Sequence, residues 1–477
     1  MRMDNQYAQF DWAGTLVTPA PLRSPRLLLL NRDLADELGM ALSEAQWRDM
    51  TAGLQLVTGM QPFAQVYAGH QFGGFSPQLG DGRAMLLAEV IAPDNQRWDL
   101  HLKGAGKTPY SRFGDGRAVL RSSLREYLAS EAMHHLGIAT TRALALVGSQ
   151  EPVYREQVES GAGLLRAAHS HLRFGHFEFF YYSGQPECIP TLLNYLIDTQ
   201  WPDLTKDATG YASLFARVVE KTATLIAQWQ LVGFCHGVLN TDNMSMLGLT
   251  LDYGPYGFLD AYNPDHICNH SDHTGRYAYD QQPAVGYWNL QRLAQALSGV
   301  IEMDALQQAL GGYEQRLMTA YSEGMRQKLG LLQWQDEDPA LFRDMFALMK
   351  AQQVDYTCWF RRLAELTPSA AIPTELLTLV NDVEAWQPWF VRYQARLAQE
   401  NRTQADKAAQ MNAVNPKYIL RNHLAQQAID QAEQGDMAEA DTLLRLLANP
   451  FDEQPEFNAY AMPAPDWASD LEISCSS

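Results

Sequence analysis

Positive charge is scarce in this chain: 36 Lys and Arg stand against 55 Asp and Glu, a formal net charge of −19 over 477 residues. Such a field repels nucleic acid and anionic membrane, so neither is expected as a partner, and a phosphate ligand must find a local basic pocket. Cysteine is scarce too. The five, Cys188, Cys235, Cys268, Cys358 and Cys475, are irregularly spaced, unlike a disulfide framework. No run approaches the ~18 apolar residues of a membrane span, and Leu27 to Leu30 is far too short. Residues Met1 to Tyr7 lack the apolar core of a secretory leader, which makes the cytoplasm the expected compartment. Repeats and low-complexity tracts are also missing. What is plentiful is hydrophobic content, 46% of residues, enough for a large core divided between two or more lobes.

The order of elements suggests how those lobes divide. Five glycines between Gly69 and Gly82 form a glycine-rich loop that enters an apolar strand over Ala84 to Ile91. A turn at Pro93 to Asn95 leads to a second strand, Trp98 to Lys103, that delivers Lys103 at its end. Leu120, Leu124, Leu128, Ala132 and Leu136 recur every four residues, predicting a helix that Ser123 could cap and Gly137 closes. Strand-like segments return near Thr140 to Val147 and Gly163 to Ala168. A helix carrying Leu214, Val218, Thr222, Leu225, Ile226 and Trp229 should end at Gly233. Helical periodicity then dominates from Trp288 to Leu447, with interruptions expected at Pro339, Pro368, Pro373 and Pro388. The predicted fold is α+β and two-lobed like a protein kinase. Residues 1–168 form a mixed N-lobe, 169–447 a largely helical, extended C-lobe, and 448–477 a tail carrying Cys475.

The candidate chemistry lies in His236 to Asn243 and in Leu251-Asp252-Tyr253-Gly254. Kinases place a loop Asn five residues after the catalytic Asp, and an Asp-Phe-Gly soon afterwards, so that both hold magnesium on ATP. Asn243 and Asp252 supply those hard oxygen ligands, but Val238 stands where the base belongs and cannot accept a proton. Asp242 is the substitute that could take a proton from an incoming hydroxyl. Lys103 and Glu126 repeat the ion pair that kinases use to hold a nucleotide phosphate. Glu126 also closes a capping box with Ser123, and Glu131 on the same helix is an open alternative. The crowded run Asp265 to His273 has poor spacing for zinc and no second cysteine cluster.

Several of these segments together resemble the SelO (YdiU) family of kinase-like protein nucleotidyltransferases: Gly80-Asp81-Gly82-Arg83, Lys103 to Gly106, Phe113 to Arg117, Ser122 to Glu126, Asn240 to Asn243 and Leu251 to Pro255. The resemblance implies transfer of AMP, and in some bacterial members UMP, from ATP or UTP onto Ser, Thr or Tyr hydroxyls of proteins, with Mg²⁺ or Mn²⁺ and release of pyrophosphate. It favours Glu126 as the partner of Lys103. It also implies that Arg83, Arg166 and Arg173 grip an ATP bound inverted relative to kinases, with Gly80, Gly82, Asp115 and Gly116 shaping the loops around the phosphates. Inversion turns the α-phosphate toward the acceptor. Finally, Cys268 and Cys475 match a redox pair of bacterial relatives, so a disulfide that tethers the tail is implied. The competing readings are a phosphotransferase, against which Val238 counts, and a non-catalytic pseudokinase that binds nucleotide.

Overall fold

A computed structural model describes residues 2–471. Its N-terminal part is built on one antiparallel sheet. In chain order the strands are β1 (Arg2–Met3), β2 (Gly14–Leu16), β3 (Arg26–Leu30), β4 (Phe63–Gln65), β5 (Gly69–Gln71), β6 (Gly74–Ser76), β7 (Ala84–Ile91), β8 (Arg97–Lys103), β9 (Ala118–Val119), β10 (Arg142–Tyr154) and β11 (Val158–Ala168). The sheet runs β2-β4-β7-β8-β11-β10-β3, with β1 on β7 and β9 on β11, while β5 and β6 form a separate hairpin. That hairpin lies inside the stretch expected to be an irregular glycine-rich loop. Its ladder is only three residues long, from Gly69 opposite Ser76 to Gln71 opposite Gly74, too short for a period-2 signal.

Alternation in β8 explains where the chemistry sits. Trp98, Leu100 and Leu102 join the apolar core beneath the sheet with Leu34, Trp47 and Met85. The opposite face of a strand carries every second residue, here Asp99, His101 and Lys103, and all three are buried. A buried polar face must find partners or suffer a desolvation cost of several kcal/mol per charge. Register supplies them: β11 sets Arg166 directly opposite His101.

The helix Leu120–His135 crosses that face. It begins three residues before Ser123, after Val119, which contributes no side-chain cap, and the Ser123 hydroxyl is buried without a hydrogen-bond partner. The capping box is therefore not formed. Leu120 and Leu124 belong to the apolar core, so packing draws the extra turn into the helix. Downstream the chain is helical. Asp207 caps the helix Ala208–Val232 by accepting from the N–H groups of Thr209 and Gly210, and Gly233, at φ +72°, ends it in the left-handed conformation that glycine adopts without strain.

The expected break at Pro388 does not occur, because Val383–Leu397 runs through it as one helix. Trp386, Trp389 and Phe390 from that helix fill a second core around Trp359, while Pro388 and Glu384, whose carbonyl loses its donor, are exposed. Aromatic burial outweighs the roughly 3 kcal/mol that an interior proline costs, and the freed carbonyl faces solvent. The C-terminal helices Asn422–Glu433 and Ala438–Leu447 return to pack on Leu120–His135, where Arg125 donates to Asn422 Oδ1 at 2.7 Å. Among the described residues no helix is long and apolar enough to cross a membrane.

Candidate active site

Lys103, at the end of β8, meets Glu126 of the helix above: Nζ to Oε2 is 2.5 Å. Both are buried, and the other oxygen of Glu126 accepts from Arg166 at 2.9 Å. With Ser123 inside the helix, Glu126 is committed to these two cations rather than to capping. Glu131 has a different role. It accepts from Arg142 at 2.9 and 2.8 Å and from the Ala143 N–H at 3.0 Å, which fastens the helix to β10.

Arg166 is the centre of a fork. Its NH1 donates to Glu126 and, at 2.6 Å, to Asp252 Oδ1, and its NH2 lies 2.8 Å from His101 Nδ1. Guanidinium can only donate, so His101 Nδ1 must accept, which leaves the ring proton on Nε2. That nitrogen is 3.2 Å from Asp81 Oδ2, which also accepts from the Gln65 N–H at 3.0 Å. Burial and the nearby arginines hold His101 below its ordinary value against the pull of Asp81, in keeping with a neutral ring. Arg173, just before the helix Phe174–Tyr182, donates to Asp252 Oδ2 at 2.5 Å and to the Asp242 carbonyl at 2.7 Å, and lies over the Tyr67 ring. Burial alone would raise Asp252, but Arg173 and Arg166 outweigh it and hold its carboxyl well below the usual range.

Asp242 contrasts with Asp252. One oxygen accepts from Gln71 Nε2 at 3.1 Å, while Oδ1 is buried without a partner. Burial pushes its carboxyl up to about 7. The β5 backbone presses so closely that a β-carbon at Gly69 would sit 2.3 Å from Asp242 Oδ1. Asn243 donates its amide to the Val238 carbonyl at 2.9 Å, which leaves its oxygen as the atom available to a ligand.

Lys103, Arg166, Arg173, Asp242, Asn243 and Asp252 share one cavity of about 520 Å³, which Gly80, Gly82, Arg83, Asp115, Gly116 and Val238 also line. The side chain of Arg83 makes no hydrogen bond or ion pair among the described residues. Asp115 is pinned by Arg155 at 2.9 and 3.0 Å and by the Arg117 N–H. A hard cation suits the donor set: Asn243, with its free amide oxygen, and the Asp252 carboxylate line the same cavity. Among the described residues no three His, Cys, Asp or Glu side chains converge as a metal cluster, so phosphate oxygens and water would complete the shell. Cys268 is apart from the cavity. It is buried, its Sγ lies 3.7 Å from the Cys235 carbonyl, and Cys475 falls outside the described residues.

Four participants escaped the sequence reading: Asp81, His101, Gln71 and Arg155. His101 carried one signal, the polar face of an otherwise apolar strand, and Asp81 lay within the Gly80 to Arg83 segment; Gln71 and Arg155 carried none.

The family described as Protein adenylyltransferase SelO matches residues 7–448. The chain belongs to that family. Among its relatives, proteins of Aeromonas salmonicida and Aeromonas hydrophila named "Protein nucleotidyltransferase YdiU" are each 61% identical over 100% of both chains. A protein of the same name from Pectobacterium atrosepticum is 54% identical over 97% of this chain and 96% of its own. The match spans nearly the whole chain, and the protein is accordingly a protein nucleotidyltransferase.

Proposed function

We propose that this protein transfers a nucleoside monophosphate, AMP or UMP, from the triphosphate to Ser, Thr or Tyr hydroxyls of other proteins and releases pyrophosphate. The observation that carries this reading is Asp242: a buried carboxylate with a free oxygen and a raised pKa, in the same cavity as three arginines and Lys103, whose ammonium is paired with Glu126. A base poised near neutrality suits proton removal from a hydroxyl.

Arg83, Arg166 and Arg173 would bind the β- and γ-phosphates, since guanidinium matches phosphate oxygens and its charge is permanent. Arg166 and Arg173 now neutralise Asp252, and an arriving triphosphate with its cation would exchange for that pairing. The arginines would gain phosphate, while Asp252 and Asn243 would hold Mg²⁺ or Mn²⁺, which would supply charge neutralisation for the departing pyrophosphate. With the terminal phosphates among the arginines, the α-phosphate faces Asp242. Asp242 takes the acceptor proton, the hydroxyl oxygen bonds to the α-phosphorus, and the bond to the β-phosphate oxygen breaks. Gly80, Gly82, Asp115 and Gly116 would line the phosphate path.

The deciding experiment supplies ATP labelled on the α- or the γ-phosphate, with either metal and acceptor proteins. Retained α-label is expected. Retained γ-label alone would make the enzyme a phosphotransferase, and binding without either label would leave a pseudokinase. Pairing of Cys268 with Cys475 belongs to the same proposal. Cys268 lies behind the catalytic loop, where a β-carbon at Gly237 would stand 3.1 Å from its own, so a disulfide there would bear on that loop.

A further inference from the structure

The β5–β6 hairpin brings Gln71 to Asp242 and then turns outward. Its tip touches a second cluster. A β-carbon at Gly73 would lie 3.5 Å from the Arg276 guanidinium, the Phe72 N–H donates to Tyr277 at 2.8 Å, and the His70 ring stands edge-on to Trp288 at 5.3 Å. Arg276 and Arg292 both place their guanidinium carbons over the Trp288 ring, at 4.6 and 5.1 Å. Around them Phe72, Phe75 and Tyr182 are 44%, 36% and 40% exposed, large apolar side chains grouped beside a cavity mouth.

Neither arginine forms an ion pair among the described residues, and the Nε–H of each is buried without a hydrogen-bond partner. The neighbouring carboxylates are already engaged. Asp272 accepts from the backbone N–H groups of Arg276 and Tyr277, and Glu178 accepts from His70 at 2.5 Å. Two adjacent guanidinium groups thus stand without a counter-ion among the described residues. Stacking on Trp288 orders both guanidinium groups; Arg292 donates once, to Gln295 Oε1 at 3.1 Å, and the remaining N–H groups are left for a ligand.

We infer that this arginine and aromatic platform docks an acidic segment of the acceptor protein, carboxylate side chains flanking the hydroxyl to be modified. The inference rests on the nucleotidyl-transfer reading and names the substrate class that reading leaves open. Phe72 and Gly73 form the two-residue turn between Gln71 and Gly74, so the Arg276 contact lies one turn beyond the Gln71 contact with Asp242, while two residues of an extended acceptor advance roughly 7 Å. An extended acceptor with its hydroxyl at Asp242 would therefore set carboxylates two to four residues away against Arg276 and Arg292. The chain's net negative charge does not forbid this, because screening beyond ~8 Å leaves the local pairs to decide.

The test uses the full chain, Mg²⁺ or Mn²⁺, α-labelled ATP and peptide libraries with a central Ser, Thr or Tyr flanked by acidic, neutral or basic residues. Acidic flanks should raise kcat/KM roughly tenfold over neutral ones, and added salt should erode that advantage. In Arg276→Glu/Arg292→Glu the preference should pass to basic flanks, with the KM for ATP within about twofold of wild type as the measure of an intact fold. Arg276→Gln/Arg292→Gln, which keeps size, should simply abolish the preference if charge reversal prevents folding. Equal transfer to all three libraries, or a preference unchanged in both variants, overturns the inference while leaving the transfer reading intact. No α-label on any library or acceptor protein would overturn the transfer reading, and this inference with it.

Discussion

At the scale of single residues, two aspartates ten positions apart are driven in opposite directions by what surrounds them. Asp252 meets two guanidinium groups and stays ionised; Asp242 meets an amide, and burial favours its protonated form. A base that must be deprotonated gives kcat/KM rising with pH through about 7, and a pH profile of the free enzyme should show that limb. The same shift affects stability. The folded value lies above the unfolded one, so the folded chain holds the extra proton. The contribution is intact below ~4 and is lost as pH rises to about 7. Asp242→Asn should therefore lower kcat by roughly 10² to 10⁴-fold while stabilising the fold at pH above neutrality by at most about 4 kcal/mol, read by denaturant unfolding. Equal stability of variant and wild type across pH 4 to 8 would refute the burial effect.

Asp252→Ala should abolish transfer and also destabilise the fold by about 3 kcal/mol, because it strands two buried arginines. Denaturant titration without nucleotide checks the second effect independently of activity. His101 acts through Arg166. His101→Phe should raise the KM for ATP roughly tenfold with a smaller change in kcat, and His101→Gln, whose oxygen can still accept from Arg166, should recover part of the loss. Equal KM values would show that Arg166 does not need the imidazole.

At the scale of elements, the decisive contact is between the β5 backbone and the catalytic loop. Gly69→Ala would force a β-carbon into Asp242 Oδ1, displacing the hairpin or the base. Turnover should fall by more than about tenfold with little change in ATP affinity, at a stability cost on the order of 2 kcal/mol. Steady-state kinetics and a melting curve separate the two effects. Much of the element pattern was legible in the sequence. The four-residue leucine stripe marked the helix Leu120–His135, an apolar run marked β7, alternation marked β8, and Gly233 marked a helix end. The start of that first helix, the hairpin and the helix through Pro388 were not legible. In each case tertiary packing outweighed a local signal: apolar burial over a serine cap, two short strands over glycine content, and an aromatic core over proline.

At the scale of the molecule, the site is a junction. Lys103, Glu126 and Arg166 come from the sheet and its covering helix, Arg173 from the segment after the sheet, Asp242, Asn243 and Asp252 from two loops about 75 residues further on. The C-terminal helices then clasp Leu120–His135 from outside. Joining the tail to Cys268 would add a covalent tie to this arrangement. Transfer by wild type should then differ between oxidising and reducing buffers, whereas Cys475→Ser should give one activity in both; a variant that still responds to redox conditions would remove the tail from the explanation.

The sequence by itself determined the kinase-like order of elements, the valine at the position of the kinase base, Asp242 as the candidate to stand in for it, and the family, because these follow from residue type and spacing along the chain. Only the tertiary structure decided that Glu126 pairs rather than caps, that Arg166 and Arg173 share Asp252, and that His101 and Asp81 stand behind them. The reason is that a charge is satisfied by whatever lies within about 3 Å in space, and partners 65 to 86 residues apart leave no periodic trace in the chain.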